Sequence, residues 1–184
     1  MKPTEELMQE HIVINLMLSI LLNISESIKS KNVFYTNDVE KIVDFFLNYV
    51  DKRHRTKEEK VFYQGLLSIN TSIIHYPISS IIDEHSIGKR YLNEIICCVE
   101  NCKIGNTFSY ESIADCMKNY VLLIKDHIHK EENTLFPFAN KALSDEMQSQ
   151  ISEEFKLIDD EFIFIGASER YNELFNRMVI KYLN

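Results

Sequence analysis

Glycine and proline are scarce in this sequence, four and three residues among 184. An all-β fold needs far more turn punctuation than that, so the composition leans to helix. Basic runs are missing as well. With a net charge of −8 and no stretch of lysine and arginine, the chain offers no phosphate-binding surface, which argues against nucleic acid or an anionic membrane as partner. Low-complexity segments and long linkers are absent, so a single domain over residues 1–184 is expected. At 45% apolar content it buries a core without disulfides or a structural metal.

An export signal is not expected either. The apolar run from Ile12 to Ile24 follows Glu5, Glu6, Glu10 and His11, where a signal needs positive charge, and as a run it is too short to span a bilayer. Asn15, Ser19 and Asn23 recur every four residues in it, the polar stripe of a bundle helix. The expected location is the cytoplasm, where Cys97, Cys98, Cys102 and Cys116 stay free thiols. Cys98 and Cys102, one helical turn apart, read as a redox pair or as small apolar residues.

What is present is helical periodicity. A first helix runs from about Thr4 to Ser27 and closes in the polar stretch Lys29 to Asn32. A second starts near Asn37, capped by Asn37 or Asp38, and its face of Val39, Ile42, Val43, Phe46, Leu47 and Val50 runs toward Gly65. Pro77 marks the start of a third, to about Cys102, with Gly105 just past its end. Ser109 caps a fourth, which Pro137 kinks or ends. Two shorter amphipathic segments, about Ser144 to Phe164 and Ser168 to Leu183, are separated by Gly166 and pack outside the others. The fold class is therefore all-α, a four-helix core over about 4–140 with two extra C-terminal helices over about 144–183.

One internal echo carries chemistry. His54-Arg55-Thr56-Lys57-Glu58-Glu59, followed by Phe62-Tyr63, returns as His127-Ile128-His129-Lys130-Glu131-Glu132, followed by Leu135-Phe136. A helical residue and its fourth neighbour lie about 40° apart around the axis and about 6 Å apart along it, so each His and Glu pair meets at one ion. One such pair is ordinarily an exposed helix pair; two on separate long helices, joined by His11 on the first and His85 on the third, form a constellation. The candidate metal ligands are His11, His54, Glu58, His85, His127 and Glu131, with both glutamates as bridges between two ions. Nitrogen and oxygen donors without thiolate favour iron, manganese or zinc, and small oxygen ligands must complete the shells, leaving an open position.

These residues resemble a known family. His127-Ile-His-Lys-Glu131-Glu-Asn-Thr-Leu-Phe-Pro137 is similar to the His-x-x-Lys-Glu-Glu-x-x-Leu-Phe-Pro of the hemerythrin-like, or HHE cation-binding, proteins. Asp83-Glu84-His85-Ser86-Ile87-Gly88-Lys89-Arg90 resembles the Glu-His-x-x-Gly-Arg of their third helix, and Glu10-His11-x-x-Ile14 resembles their opening segment. The resemblance implies an up-and-down four-helix bundle around a non-haem di-iron pair, carboxylate- and oxo- or hydroxo-bridged, that binds dioxygen or reacts with it. One departure stands out. Oxygen carriers place two histidines four residues apart on the third helix, and here Ile81 and Lys89 occupy those places around His85.

Other residues read more plainly. His129 points away from His127, and His75 precedes Pro77 in a solvated loop. Glu59 and Glu132 lie about 100° off the ligand face and read as solvated charges beside Lys57 and Lys130, with a supporting acceptor role as the alternative. Tyr120 shares the face of His127, either as core or as a donor to bound oxygen. Phe45, Phe46, Phe62 and Tyr63 read as core that also shields the metals. The leading expectation is a binder or sensor of dioxygen or a related small oxidant rather than a dedicated enzyme. The alternatives are an enzyme of the same fold that reduces peroxide or nitric oxide or repairs iron centres, and a metal-free helical interaction module. His11 so near the start lowers the repair reading, because some repair members carry a long N-terminal extension.

Overall fold

A computed structural model describes residues 1–31, 35–69, 72–106, 109–164 and 167–183, and among them there is no strand. Helix α1 spans Pro3–Lys31. Helix α2, Thr36–Phe45, passes into π-helical turns at Phe46–His54 and Lys57–Phe62 and on to α3, Tyr63–Leu67. Helix α4 is Ser72–Lys103. Helix α5, Ser109–Lys130, passes through a π-helical stretch at Glu131–Leu135 into α6, Phe136–Ala142. Helices α7, Asp145–Phe164, and α8, Ala167–Tyr182, follow.

Two apolar clusters organise the core, and each long helical stretch runs from one to the other. Along α1 the order is Leu7 in one cluster, then Ile14 to Ile28 in the second. Val39 to Val50 then precede Val61 to Leu66, reversing that order; Ile74 to Ile81 precede Leu92 to Val99; and Ile113 to Ile128 precede Leu135 to Leu143. The polar residues between the clusters, near positions 10, 54–59, 84 and 127–131, are consequently gathered at one level. Helix α1 is long and apolar enough to cross a membrane by length and composition, beyond what the shorter apolar run suggested. Its apolar face is core: Ile14, Met17, Leu18, Ile20 and Leu21 are all buried. Of the polar stripe, Asn23 donates to the Tyr182 carbonyl at 3.0 Å and so anchors the end of α8.

Helix ends differ from expectation where proline and side-chain caps were weighed. Helix α4 begins at Ser72, before Pro77, which falls inside it. So near the helix start, the missing amide hydrogen and the ring affect only the carbonyl of Ile73 in the first turn. Pro137 does not end its helix either, because the carbonyl it would crowd, that of Asn133, lies in the π-helical stretch, where hydrogen bonds already run to the fifth residue. Asn37 and Asp38 sit within the first turn of α2, which has no side-chain cap. Asp38 instead accepts the Tyr182 hydroxyl at 2.7 Å. Gly105, at φ +86°, closes α4 as placed, with its amide on the Cys102 carbonyl and that of Asn106 on Asn101. Asn32, the Ser109 side chain and Gly166 lie outside the described residues.

Candidate metal centre

Four helical stretches deliver the site. Helix α1 brings Glu10 and His11, the π-helical turns after α2 bring His54, Glu58 and Glu59, α4 brings Glu84 and His85, and α5 with its π-helical continuation brings His127, Glu131 and Glu132. All six candidate ligands are buried, Glu58 and Glu131 completely. Single π-helical turns recur at functional positions, and here they carry His54, Glu58 and Glu131.

The side chains converge as two trios that share a carboxylate. His11, His54 and Glu58 form one, and Glu58, His85 and His127 the other, donor atoms within 4.8 Å of one another. Glu58 Oε1 lies 2.9 Å from His54 Nε2 and 3.8 Å from His11 Nε2, while Glu58 Oε2 lies 3.4 Å from His85 Nε2. Glu131 Oε2 sits between the trios, 3.3 Å from His11 Nε2 and 3.4 Å from His127 Nε2. Its other oxygen accepts the Tyr63 hydroxyl at 2.5 Å.

Behind each imidazole stands another carboxylate. Nδ1 of His54 meets Glu10 at 2.7 Å, that of His11 meets Glu132 at 2.9 Å, that of His85 meets Glu59 at 2.5 Å and that of His127 meets Glu84 at 3.2 Å. Burial would raise the Glu10 carboxyl, but His54, Arg53 and Lys57 outweigh it and bring it down to about 2. His85 holds Glu59 below the usual carboxylate range; at Glu84, His127 and Lys130 overcome burial to the same effect. An ionised carboxylate only accepts, so the imidazoles donate from Nδ1 and keep the Nε2 lone pair for the centre. At His11, His54 and His127 burial lowers the imidazole and the glutamates raise it, with the glutamates winning. His11 is raised well above its ordinary value by Glu131, Glu132 and Glu58, and His127 to about 9 by Glu131 and Glu84.

The donor set fits a cation. Among the described residues, His11 Nε2, both oxygens of Glu58 and Glu131 Oε2 are buried with no hydrogen-bond partner, although other donor atoms lie close. Orphaned buried polar groups of this kind are rare and costly. The hemerythrin HHE cation-binding domain matches residues 2–139. The chain belongs to this family. No curated protein and no solved structure matches it. As a hemerythrin HHE protein it is a cation-binding domain whose buried His and Glu clusters are able to hold metal.

Against that family frame, several residues stand otherwise than their spacing suggested. Glu59 and Glu132 are not simply solvated: about 100° off the ligand face is the direction of the neighbouring helix, where His85 and His11 wait. Glu10 and Glu84 were missed as supports, though each directly precedes a candidate ligand. All four supports adjoin a ligand in sequence and grip a histidine from another helix. Lys57, placed beside solvated Glu59, is instead fully buried. Tyr63 read as core that also shields the metals, without a hydrogen bond to a candidate ligand; in an α-helix it would lie about 140° round from Glu58, but the π turn bonds its amide to the Glu58 carbonyl and swings it over the site. Tyr120 is buried against Phe46, its hydroxyl without a partner, and does not reach a ligand. His129 is exposed and bonded to Asn133, and His75 is exposed on α4 rather than in a loop. The four cysteines are free, and burial raises the thiols of Cys98, Cys102 and Cys116.

Proposed function

We propose that this chain is a cytoplasmic non-haem di-iron protein that binds or senses dioxygen or a related small oxidant, built as an up-and-down four-helix bundle with α7 and α8 as accessory helices. The alternating order of the two apolar clusters along the chain supports that topology. His11, His54 and Glu58 would hold one ion and Glu58, His85 and His127 the other, with Glu131 available to both. The observation that carries it is the shared Glu58, whose two oxygens, without a hydrogen-bond partner, each belong with one imidazole pair, His11 with His54 and His85 with His127. Nitrogen and oxygen donors without thiolate suit iron, manganese or zinc, and iron is the ion proposed, with manganese or zinc as substitutes. A ferrous pair supplies two electrons to an oxidant, and the chain's part is to keep four Nε2 lone pairs aimed inward and water out.

The space beside the imidazoles supports a small ligand. A cavity of about 10 Å³ is lined by His54, Glu58, His85 and His127 together with Ile14, Val50, Ile124 and Ile128, about the room one water-sized molecule needs. A second reading, an enzyme that reduces peroxide or nitric oxide, draws on the outer cleft of about 320 Å³ lined by Asp51, Arg55, Glu59, His85 and Lys89, which reaches the same imidazole. Iron per chain on protein purified without added metal tests the first reading. About two irons is the expected result. One zinc and no iron after iron-supplemented growth would count decisively against it.

A further inference from the structure

Helix α7 lies beyond the residues that match the family, yet one of its faces reaches the candidate centre. Phe155, Asp159 and Phe162, at helical spacing, form a single stripe. Lys57 Nζ lies 5.3 Å from the ring centre of Phe155, and the Arg53 guanidinium 5.5 Å from that of Phe162. Between them Asp159 Oδ1 accepts from Lys57 Nζ and from Arg53 Nε, each at 2.7 Å. Both cations also hold Glu10 Oε1, Lys57 at 2.7 Å and Arg53 at 2.9 Å, and Glu10 Oε2 meets His54 Nδ1 at 2.7 Å. Glu6, Glu10 and Asp159 bring their oxygens together as a cation site would, but the Lys57 ammonium fills it, 2.7 Å from each. An unbroken chain of charged hydrogen bonds thus runs from α7 to an imidazole.

We propose that Asp159 is a positioning residue for His54, acting through Arg53, Lys57 and Glu10, and that it couples the docking of α7 to the metal centre. The coupling rests on the metal reading above; the positioning of His54 does not. The mechanism is orientation. Asp159 fixes both cations, the cations fix the Glu10 carboxylate, and that carboxylate sets the plane and basicity of the His54 ring. Coupling is reciprocal, so whatever α7 does to metal affinity, metal does to the docking of α7.

The test uses the full chain, ¹⁵N-labelled, with the imidazole nitrogen signals of His54 identified by their loss in His54→Gln. In chelator-treated protein, Asp159→Asn should move the His54 signals, Asp159→Glu should restore them toward wild type, and Glu161→Gln, exposed on the same helix, should leave them in place. Iron affinity of Asp159→Asn should fall about tenfold. Wild-type His54 signals in a folded Asp159→Asn protein would overturn the proposal. Hydrogen exchange of residues 145–164 in the unaltered protein reads the coupling without any variant: iron loading should slow it, and unchanged exchange at full iron occupancy would overturn it. Failure to bind iron with shifted His54 signals would sink the di-iron reading and leave the positioning role standing.

Discussion

The Nε2 atoms of His85 and His127 lie 3.1 Å apart, and a carboxylate holds each ring from behind, Glu59 for one and Glu84 for the other. Two imidazoles that donate backward from Nδ1 present lone pairs to each other at the front. Such a pair is repulsive unless a cation or a proton lies between; in the metal-free protein Glu131 and Glu84 raise His127 against its burial to about 9, which favours its protonated form. On the proposed ligand assignment the same atoms would serve both states, making metal and proton competitors for one place.

Ligand and support carboxylates should therefore differ in degree. Glu58→Ala and Glu131→Ala are each expected to abolish stable metal binding, because each removes an oxygen that faces two histidines. Glu59→Ala and Glu132→Ala should weaken affinity by about 10- to 100-fold, the usual cost of freeing a ligand's outer hydrogen bond. Chelator competition measures both sets. Equal losses across all four would mean that no distinction exists between ligand and support.

The two buried tyrosines near the site make opposite predictions. Tyr63→Phe removes the only hydroxyl on Glu131 Oε1 among the described contacts and should cost about 1.5–3 kcal/mol in the metal-free protein, as a hydrogen bond to a charged group does. Tyr120→Phe deletes a buried hydroxyl with no partner and should leave stability unchanged or raise it. Urea unfolding of both variants decides. A destabilised Tyr120→Phe would reveal a partner for that hydroxyl.

Proton competition gives a pH signature. His127 is raised from 6.5 to about 9, so its contribution to metal-free stability is full below pH 6.5 and is lost as the pH climbs to 9. Glu10 is lowered from 4.5 to about 2, so its contribution is full above pH 4.5 and is lost as the pH falls to 2. Each is worth roughly 3 kcal/mol at most. Metal-free protein should be most stable between pH 4.5 and 6.5. Metal-loaded protein should lack the alkaline loss, and metal affinity should rise from pH 6.5 to 9 as the proton leaves. An affinity independent of pH there would mean His127 is not displaced from its proton.

Residue spacing alone picked out the candidate ligands that the fold gathers, offered Glu59 and Glu132 as supports only as an alternative, and did not find Glu10 or Glu84. His54 with Glu58 and His127 with Glu131 are visible because four residues is a property of one helix. Glu10 on His54 and Glu84 on His127 are properties of two, and no single-helix rotation contains them. The same limit hid Asp159, which looks like one more acid on a polar segment until Lys57 and Arg53 are seen to face it. The π-helical turns left no trace in composition, so the hydrogen bond from Tyr63 to Glu131 was not legible and Tyr63 read as core that shields the metals. The start read near Asn37 falls within one residue of Thr36, though without the side-chain cap, whereas Pro77, read as a start, lies inside α4.

The absent fifth histidine bears on what the centre does with an oxidant. Ile81 lies one turn before His85 on α4, buried in the cluster with Phe62, Tyr63, Leu135 and Phe136, and Phe136 stacks on His11 with ring centres 5.6 Å apart. The side of the site that a further imidazole would fill is therefore apolar, and on the proposed di-iron reading one ion would keep a position open to exogenous ligands. Diferrous protein is expected to oxidise quickly in air and to take up azide or nitric oxide readily. Stopped-flow mixing with oxygenated buffer tests this; uptake of dioxygen that reverses under vacuum would refute it and restore an oxygen carrier. Ile81→His should slow the oxidation if its ring reaches the open position. The metal-free variant should lose about 1–3 kcal/mol, the cost of an imidazole in an apolar pocket, and iron should restore that loss by ligating it. Wild-type oxidation kinetics together with an unrecovered stability loss would place the open position away from residue 81.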